Sequence, residues 1–216
     1  MPHTSDLDRK IEELVEATGS GSINFFGRQY GGKDKQSGRL AANAKRILGI
    51  EIPVLGGGEI LRKSPGLLSE GAQDMQERGE NVPSSDYTRI VLPFLSQVAF
   101  KDGPLFLSTV GRKDGEQHDV LEATAAAGHP TVAVPLLKIT EEETWKRFQT
   151  APSRGRADDT PEGVRSRLEL FLTETQPVLD TYESLGLLVV VDAMPPEEEV
   201  FQTLVHSLHD RLTGVG

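Results

Sequence analysis

Two rhythms of hydrophobic and polar residues alternate along this chain. Short uninterrupted apolar runs have the length and composition of strands buried on both faces: "INFF" (23–26), "EIPVL" (51–55), "PLFLS" (104–108), "TVAVPLL" (131–137) and "LLVVVD" (187–192). Between them the apolar positions recur with a helical period over 33–48, 70–78, 84–100, 115–127, 141–149, 161–184 and 197–212. Strand and helix in repeated succession predict an α/β fold, a parallel sheet with helices on both faces. A ligand is then expected at the C-terminal ends of the strands. Residues 56–101 are largely helical with no strand between, which predicts a subdomain inserted beside that edge. The polar, turn-rich stretch "TAPSRGRADDT" (150–160) reads as a loop or lid.

Ahead of the first strand, Leu7, Ile11, Leu14 and Val15 share one helical face, and Ser5 with Asp8 has the spacing of a capping box. Residues 1–21 therefore predict a helical extension outside the main fold, packed on the domain surface or on a partner subunit.

Composition narrows the classes. A chain of 216 residues with 37% hydrophobic residues suits one domain with a packed core. The absence of cysteine removes disulfides and thiolate metal sites. No apolar run reaches the length of a membrane span, and the first residues carry acids rather than a leader's apolar stretch, so the expected address is cytoplasmic. A net charge of −10 argues against nucleic acid as a partner. It leaves room for an anionic small ligand held by a local cluster of arginines. His206 and His209 stand three apart with no third ligand nearby, and read as helix-surface residues.

The chemistry begins in "FFGRQYGGKDKQ" (25–36). Gly27, Gly32 and Lys33 fit the phosphate-loop pattern G-x-x-x-x-G-K, with a strand before and a helix after. Such a loop turns backbone N–H groups and a helix N-terminus toward phosphate oxygens, and its lysine reaches the terminal phosphates. The other reading is a plain strand-to-helix turn built from glycines. The position after the lysine normally carries the Ser or Thr hydroxyl that meets Mg²⁺, or in some nucleotide kinases a Gly followed by that Thr. Here it is Asp34, expected to face outward, followed by Lys35, expected to bring a second ammonium to the phosphates.

Further along, "RGRADDTPEGVRSRLELFLTETQPVLDTYESLG" carries Arg156, Asp158, Asp159 and Arg167. Here the chain resembles the adenylate kinase family of nucleoside monophosphate kinases. The resemblance extends backward through "GGGEILRKS", "MQERGENVPSSD" and "PLFLSTVGRKDGEQ", and covers about residues 22–212. It implies a three-layer P-loop NTPase-type fold with a five-stranded parallel sheet, a small helical acceptor-binding insertion at 57–84 and a short lid at 147–160. It implies ATP at Gly27, Tyr30, Gly31, Gly32, Lys33, Asp34, Lys35 and Arg147. The monophosphate would lie at Gly58, Arg62, Val82, Arg112, Arg156 and Arg167, with Gln117 reading its base. Lys33, Arg112, Arg147, Arg156 and Arg167 would surround the phosphoryl group in flight, and Asp158 and Asp159 would anchor the lid. Mg²⁺ would arrive with ATP, held mainly by phosphates and water, with no protein ligand to the metal. The implied partners are ATP and a nucleoside monophosphate, bound by a monomer with no membrane contact.

The chemistry of the residues agrees, because planar guanidiniums fork onto phosphate oxygens. Each arginine alone also fits a solvated helix face, and Asp158–Asp159 also fit the start of a helix at Thr160 and Pro161.

Several positions depart from the family pattern. Tyr30 stands for a glycine, Lys35 for the hydroxyl, Ser108 for an acid, Thr109 and Gly111 for Gly and Pro, and Gly57 for a threonine. One residue is inserted between Arg112 and Gln117. No arginine lies midway between Arg147 and Arg156, although Arg154 is near. Two outcomes follow: a kinase in which Lys35 supplies charge, or a nucleotide-binding regulatory protein without turnover. A kinase acting on a small metabolite's hydroxyl is a third, against which "GGGEILR" and "GENVP" argue.

Overall fold

The computed structural model describes residues 5–96, 103–151 and 159–214. Five strands, β1 (Ser22–Gly27), β2 (Val54–Gly56), β3 (Leu105–Ser108), β4 (Thr131–Lys138) and β5 (Leu188–Asp192), form one sheet in the order β2-β3-β1-β4-β5. Every neighbouring pair is parallel. The helices around it are α1 (Asp6–Thr18), α2 (Lys33–Leu48), α3 (Gly57–Arg62), α4 (Ala72–Glu77), α5 (Ser84–Ile90), α6 (Glu116–Ala126), α7 (Glu141–Thr150), α8 (Pro161–Leu170), α9 (Gln176–Ser184) and α10 (Glu197–Thr213). The three-layer architecture expected from the sequence is the one observed.

The pleat explains how β1 serves both layers. Ile23 and Phe25 point into a cluster with Leu40 and Ala44 of α2 and Phe201, Leu204 and Leu208 of α10. Phe26 points the other way, onto Val178, Leu179 and Tyr182 of α9. Asn24 is fully buried on that second face and makes two bonds to Val110: its Nδ2 donates to the carbonyl at 2.7 Å and its Oδ1 accepts from the N–H at 3.2 Å. This polar pair, satisfied inside the core, fixes the chain just beyond β3.

Helix α1 begins as its sequence predicts, with the Ser5 hydroxyl accepting from the Asp8 N–H at 3.0 Å. It lies outside the sheet, yet Ile11, Leu14 and Val15 are buried in the same core cluster as α2 and α10. His209 is not a surface residue. It is buried under α1, with Nε2 2.7 Å from Glu13 and Nδ1 2.9 Å from Asp210.

Residues 57–95 build a second cluster on the sheet edge, in which Ile60, Leu61, Val82, Tyr87 and Ile90 pack on Leu105 and Leu107 of β3. The long helix expected over 161–184 contains a π turn at Phe171–Thr175 between α8 and α9. Pro177 accounts for it: a proline has no N–H to give residue 173 and its ring crowds that carbonyl.

Candidate active site

The C-terminal ends of three strands open into one cleft of about 860 Å³, where Gly27, Gly56 and Ser108 all line the wall. This is where an open parallel sheet offers room for a ligand. On one side stand Gly27, Gln29, Lys33 and Asp34; on the other Gly58, Arg62, Val82, Tyr87 and Arg112; Arg167, Phe171 and Thr175 close it from the α8–α9 side.

The glycine loop is shaped by close approach. A Cβ at Gly27 would sit 2.9 Å from the Leu137 carbonyl of β4, so no side chain fits there. Gly32 adopts φ 88°, the left-handed region that favours glycine, and starts α2 with Lys33 as its first residue. Tyr30 also takes a positive φ, 61°, a costly conformation for an aromatic residue. It does not plug the loop. Its ring packs on Phe148 at 5.8 Å and its hydroxyl donates to Asp159 at 3.2 Å.

At the opposite side, two guanidiniums converge. A Cβ placed on Gly58 would be 3.2 Å from Nη1 of Arg62 and 3.4 Å from Nη2 of Arg112. Arg62 comes from the last turn of α3 and Arg112 from the loop after β3, so the tertiary fold brings together residues fifty positions apart. Behind them, the Tyr87 hydroxyl accepts from the Gly111 N–H at 2.6 Å. It also fills the space beside Gly57, where a Cβ would fall 2.7 Å from the phenol oxygen. Burial, then the nearby Glu116 carboxylate, push the phenol well above its ordinary range and keep it neutral.

Four sequence expectations are corrected. Asp34 faces inward, not outward: it lines the cleft and its carboxylate accepts from Ser108 Oγ. Lys35 turns the other way and bonds Glu197 of α10 at 2.5 Å on the exposed side, so it brings no ammonium to the cleft. Gln117 is buried away from the cleft, its amide donating to Asp114 and to Thr181 of α9, both at 3.2 Å. The residue inserted after Arg112 puts Glu116 in its place on the wall. Arg147 does not line the cleft either. It donates to Glu143 at 2.8 Å, to the Tyr30 carbonyl at 3.3 Å and to the Ala193 carbonyl at 2.7 Å, stapling the glycine loop to the end of β5.

Arg156 and Asp158, with Arg154, lie outside the described residues. Asp159 meets Tyr30, while Thr160 caps α8 by accepting from the Gly163 N–H at 3.1 Å.

Three contributors escape a sequence reading. Glu116 accepts from the N–H groups of Arg112 and Lys113 at 3.0 and 3.1 Å and from the Ser84 hydroxyl at 2.9 Å, so one carboxylate sets the arginine loop and braces α5. Asn81 reaches Glu174 in the π turn at 2.5 Å, tying the inserted segment to the far wall. Gln29 lines the loop side of the cleft.

A five-stranded parallel sheet, a glycine loop leading into α2, and a cleft at the strand ends lined by Lys33, Arg62, Arg112 and Arg167 define a kinase of the P-loop class. A solved gluconokinase from Sinorhizobium meliloti shares the fold with a TM-score of 0.58 at 16% identity, covering 91% of this chain and 95% of that one. No protein-family model matches the chain. The adenylate kinase of Bifidobacterium longum is 32% identical over 188 residues, spanning 85% of this chain and 97% of the relative. That of Thermus thermophilus is 30% identical over 184 residues, spanning 83% and 92%. The chain belongs to the adenylate kinase family.

Proposed function

We propose that this protein is a nucleoside monophosphate kinase, moving the terminal phosphoryl group of ATP to AMP or another nucleoside monophosphate. The observation that carries the reading is the convergence, in one cleft, of Lys33 at the glycine loop with the Arg62–Arg112 pair at Gly58. Two anionic groups, one on each side, would face each other across the space that Arg167 borders.

Phosphoryl transfer asks little covalent help of a protein. It needs charge neutralisation, an in-line approach and exclusion of water. In this cleft the ATP polyphosphate would run along the glycine loop with Lys33 at its end, and the acceptor phosphate would be forked by Arg62 and Arg112. An acceptor oxygen attacks the terminal phosphorus, the bond to the bridging oxygen breaks, and ADP departs. Arg167 would balance the charge spread over the transferred group. Arg147 acts from behind by fixing the loop through the Tyr30 carbonyl.

Mg²⁺ belongs to this reading as the companion of ATP. Among the described residues no group of three or more His, Asp or Glu side chains is placed to hold a metal. The oxygen donors at the loop, Asp34 and Ser108, suit a hard cation that takes its remaining ligands from phosphates and water. The ion would supply charge neutralisation on the donor phosphates. The same reading makes ATP and a nucleoside monophosphate the partners of a monomeric enzyme of nucleotide biosynthesis in the cytoplasm.

A second reading, a nucleotide-binding regulatory protein without turnover, is favoured by one observation: an acidic side chain, Asp34, lines the cleft next to Lys33. A coupled assay with AMP, CMP, UMP and GMP as acceptors over a magnesium titration separates the two. Turnover well above a Lys33→Ala control supports the kinase. Tight ATP binding with no turnover above that control supports the regulatory protein.

A further inference from the structure

Among the described residues two positions other than glycine have a positive φ, Tyr30 and Thr109, and each follows a strand that ends at the cleft. Thr109, at 51°, is the greater outlier, because a β-branched side chain is seldom found in the left-handed region. Such strain costs stability and lasts only where neighbours impose it. Here the neighbours are plain. The Thr109 N–H donates to the Phe25 carbonyl of β1 at 2.9 Å, Asn24 holds both backbone groups of Val110, and the Tyr87 hydroxyl takes the Gly111 N–H. A glycine would keep all of these bonds without strain, so the backbone gives no reason for a threonine.

The side chain has the place and the spare capacity of a substrate contact. Thr109 is buried and lines the cleft directly after Ser108. On one side it meets Phe25, two residues before Gly27 of the glycine loop. On the other its carbonyl borders Gly57, which adjoins Gly58 and the arginine pair. It therefore stands where the donor and acceptor halves of the cleft join. Among the described residues its hydroxyl meets one partner, the Phe25 carbonyl at 3.4 Å, a long bond to an oxygen that the Thr109 N–H already uses. A hydroxyl hydrogen rotates about its C–O bond, so the same oxygen can donate to a ligand with no heavy atom displaced.

We propose that Thr109 is a further catalytic residue, its hydroxyl donating a hydrogen bond to a non-bridging oxygen of the phosphoryl group as it passes from donor to acceptor. The proposal rests on the kinase reading given above. Charge spreads over those oxygens in the transition state, and a fixed donor aimed at them from the cleft floor adds to the cations at the sides. A bond made mainly in the transition state lowers kcat when it is removed and leaves both KM values nearly unchanged.

Three variants of the full chain separate hydroxyl, shape and strain. Thr109→Val keeps the branched shape and loses the hydroxyl, so kcat should fall about tenfold or more with both KM values held. Thr109→Ser keeps the hydroxyl and should retain most of kcat. Thr109→Gly loses the hydroxyl and relieves the backbone, so kcat should fall as in Thr109→Val while Tm holds or rises. Steady-state kinetics against ATP and each of the four monophosphates, with a thermal melt of every variant, give these readouts. The contrast of Thr109→Ser with Thr109→Gly carries the test even where Thr109→Val fails to fold. Wild-type kcat in Thr109→Val or Thr109→Gly, or a loss in Thr109→Ser as large as in Thr109→Gly, overturns the proposal while leaving the kinase reading intact. A wild type with no turnover on any of the four acceptors overturns the kinase reading itself, and this proposal with it.

Discussion

Glu116 offers a sharp test of how the cleft is held. Its carboxylate accepts three hydrogen bonds, from the N–H groups of Arg112 and Lys113 and from the Ser84 hydroxyl. The side chain is 3% exposed, so water does not replace it readily when it is removed. Glu116→Ala strips partners from two backbone N–H groups and one hydroxyl. Bonds to a charged group contribute about 1.5–3 kcal/mol each, but the loop at 112–115 is partly exposed and can recover water, so we expect a total loss of about 2–4 kcal/mol. For a domain of this size that lowers Tm by roughly 5–12 °C. The functional effect should be one-sided. Arg112 is positioned by the loop that Glu116 pins, whereas Lys33 hangs from the other side of the cleft. KM for the nucleoside monophosphate should rise about tenfold or more, with KM for ATP changed less than about twofold. Glu116→Gln keeps one acceptor oxygen and should lie between. Steady-state kinetics against each substrate and a thermal melt measure both effects. Equal rises in the two KM values, or an unchanged Tm, would refute the positioning role.

Three other outcomes are expected. Gly57→Ala brings a methyl group 2.7 Å from the Tyr87 oxygen and 3.3 Å from the Thr109 carbonyl, and overpacking of this kind should cost about 1–3 kcal/mol in chemical denaturation. Ile11→Ala opens a cavity where α1 meets α2 and α10, and should cost about 2–5 kcal/mol in one cooperative transition. A loss confined to a separate early transition would mean that α1 folds as an independent appendage. Burial raises the pKa of Asp86, but bonds from the Ser69 hydroxyl and N–H and from Arg89 outweigh it and hold the carboxyl below its ordinary 3.8. A depressed folded-state pKa stabilises above 3.8 and the benefit is lost as pH falls through the folded value. Tm should therefore drop more steeply below about pH 4 in the wild type than in Asp86→Asn.

The sheet is readable in the sequence because strands buried on both faces must be continuously apolar, and such runs are conspicuous. The two edge strands differ: β2 is confined to Val54–Gly56 behind Glu51 and Pro53 and is only half-buried, and β5, expected to be buried on both faces, alternates, with Val190 exposed. Helix α3 is hidden, since "GGGEILR" opens with three residues of poor helix propensity. The site is legible in which segments converge and illegible in which side chain of each segment turns inward. Consecutive residues on a helix point about 100° apart, so nothing local decides between Asp34 and Lys35. Glu197 on α10 decides it by taking the lysine. Gln117 and Glu116 differ in the same way, and there Thr181 of α9 claims the glutamine. Arg147 has the right charge in the right region, yet the Tyr30 and Ala193 carbonyls, in the loop and just past β5, absorb it.

The wide turn at Phe171–Thr175 separates two demands made on a single rod of helix. Upstream, Arg167 must look into the cleft; downstream, Tyr182 must look into the core, where it is fully enclosed. An ordinary helix fixes the angle between two such positions, and the one surplus residue is what resets it. Deleting any residue of that turn would make the rod regular and force a choice, with either the guanidinium swung toward solvent or the aromatic ring prised from its neighbours.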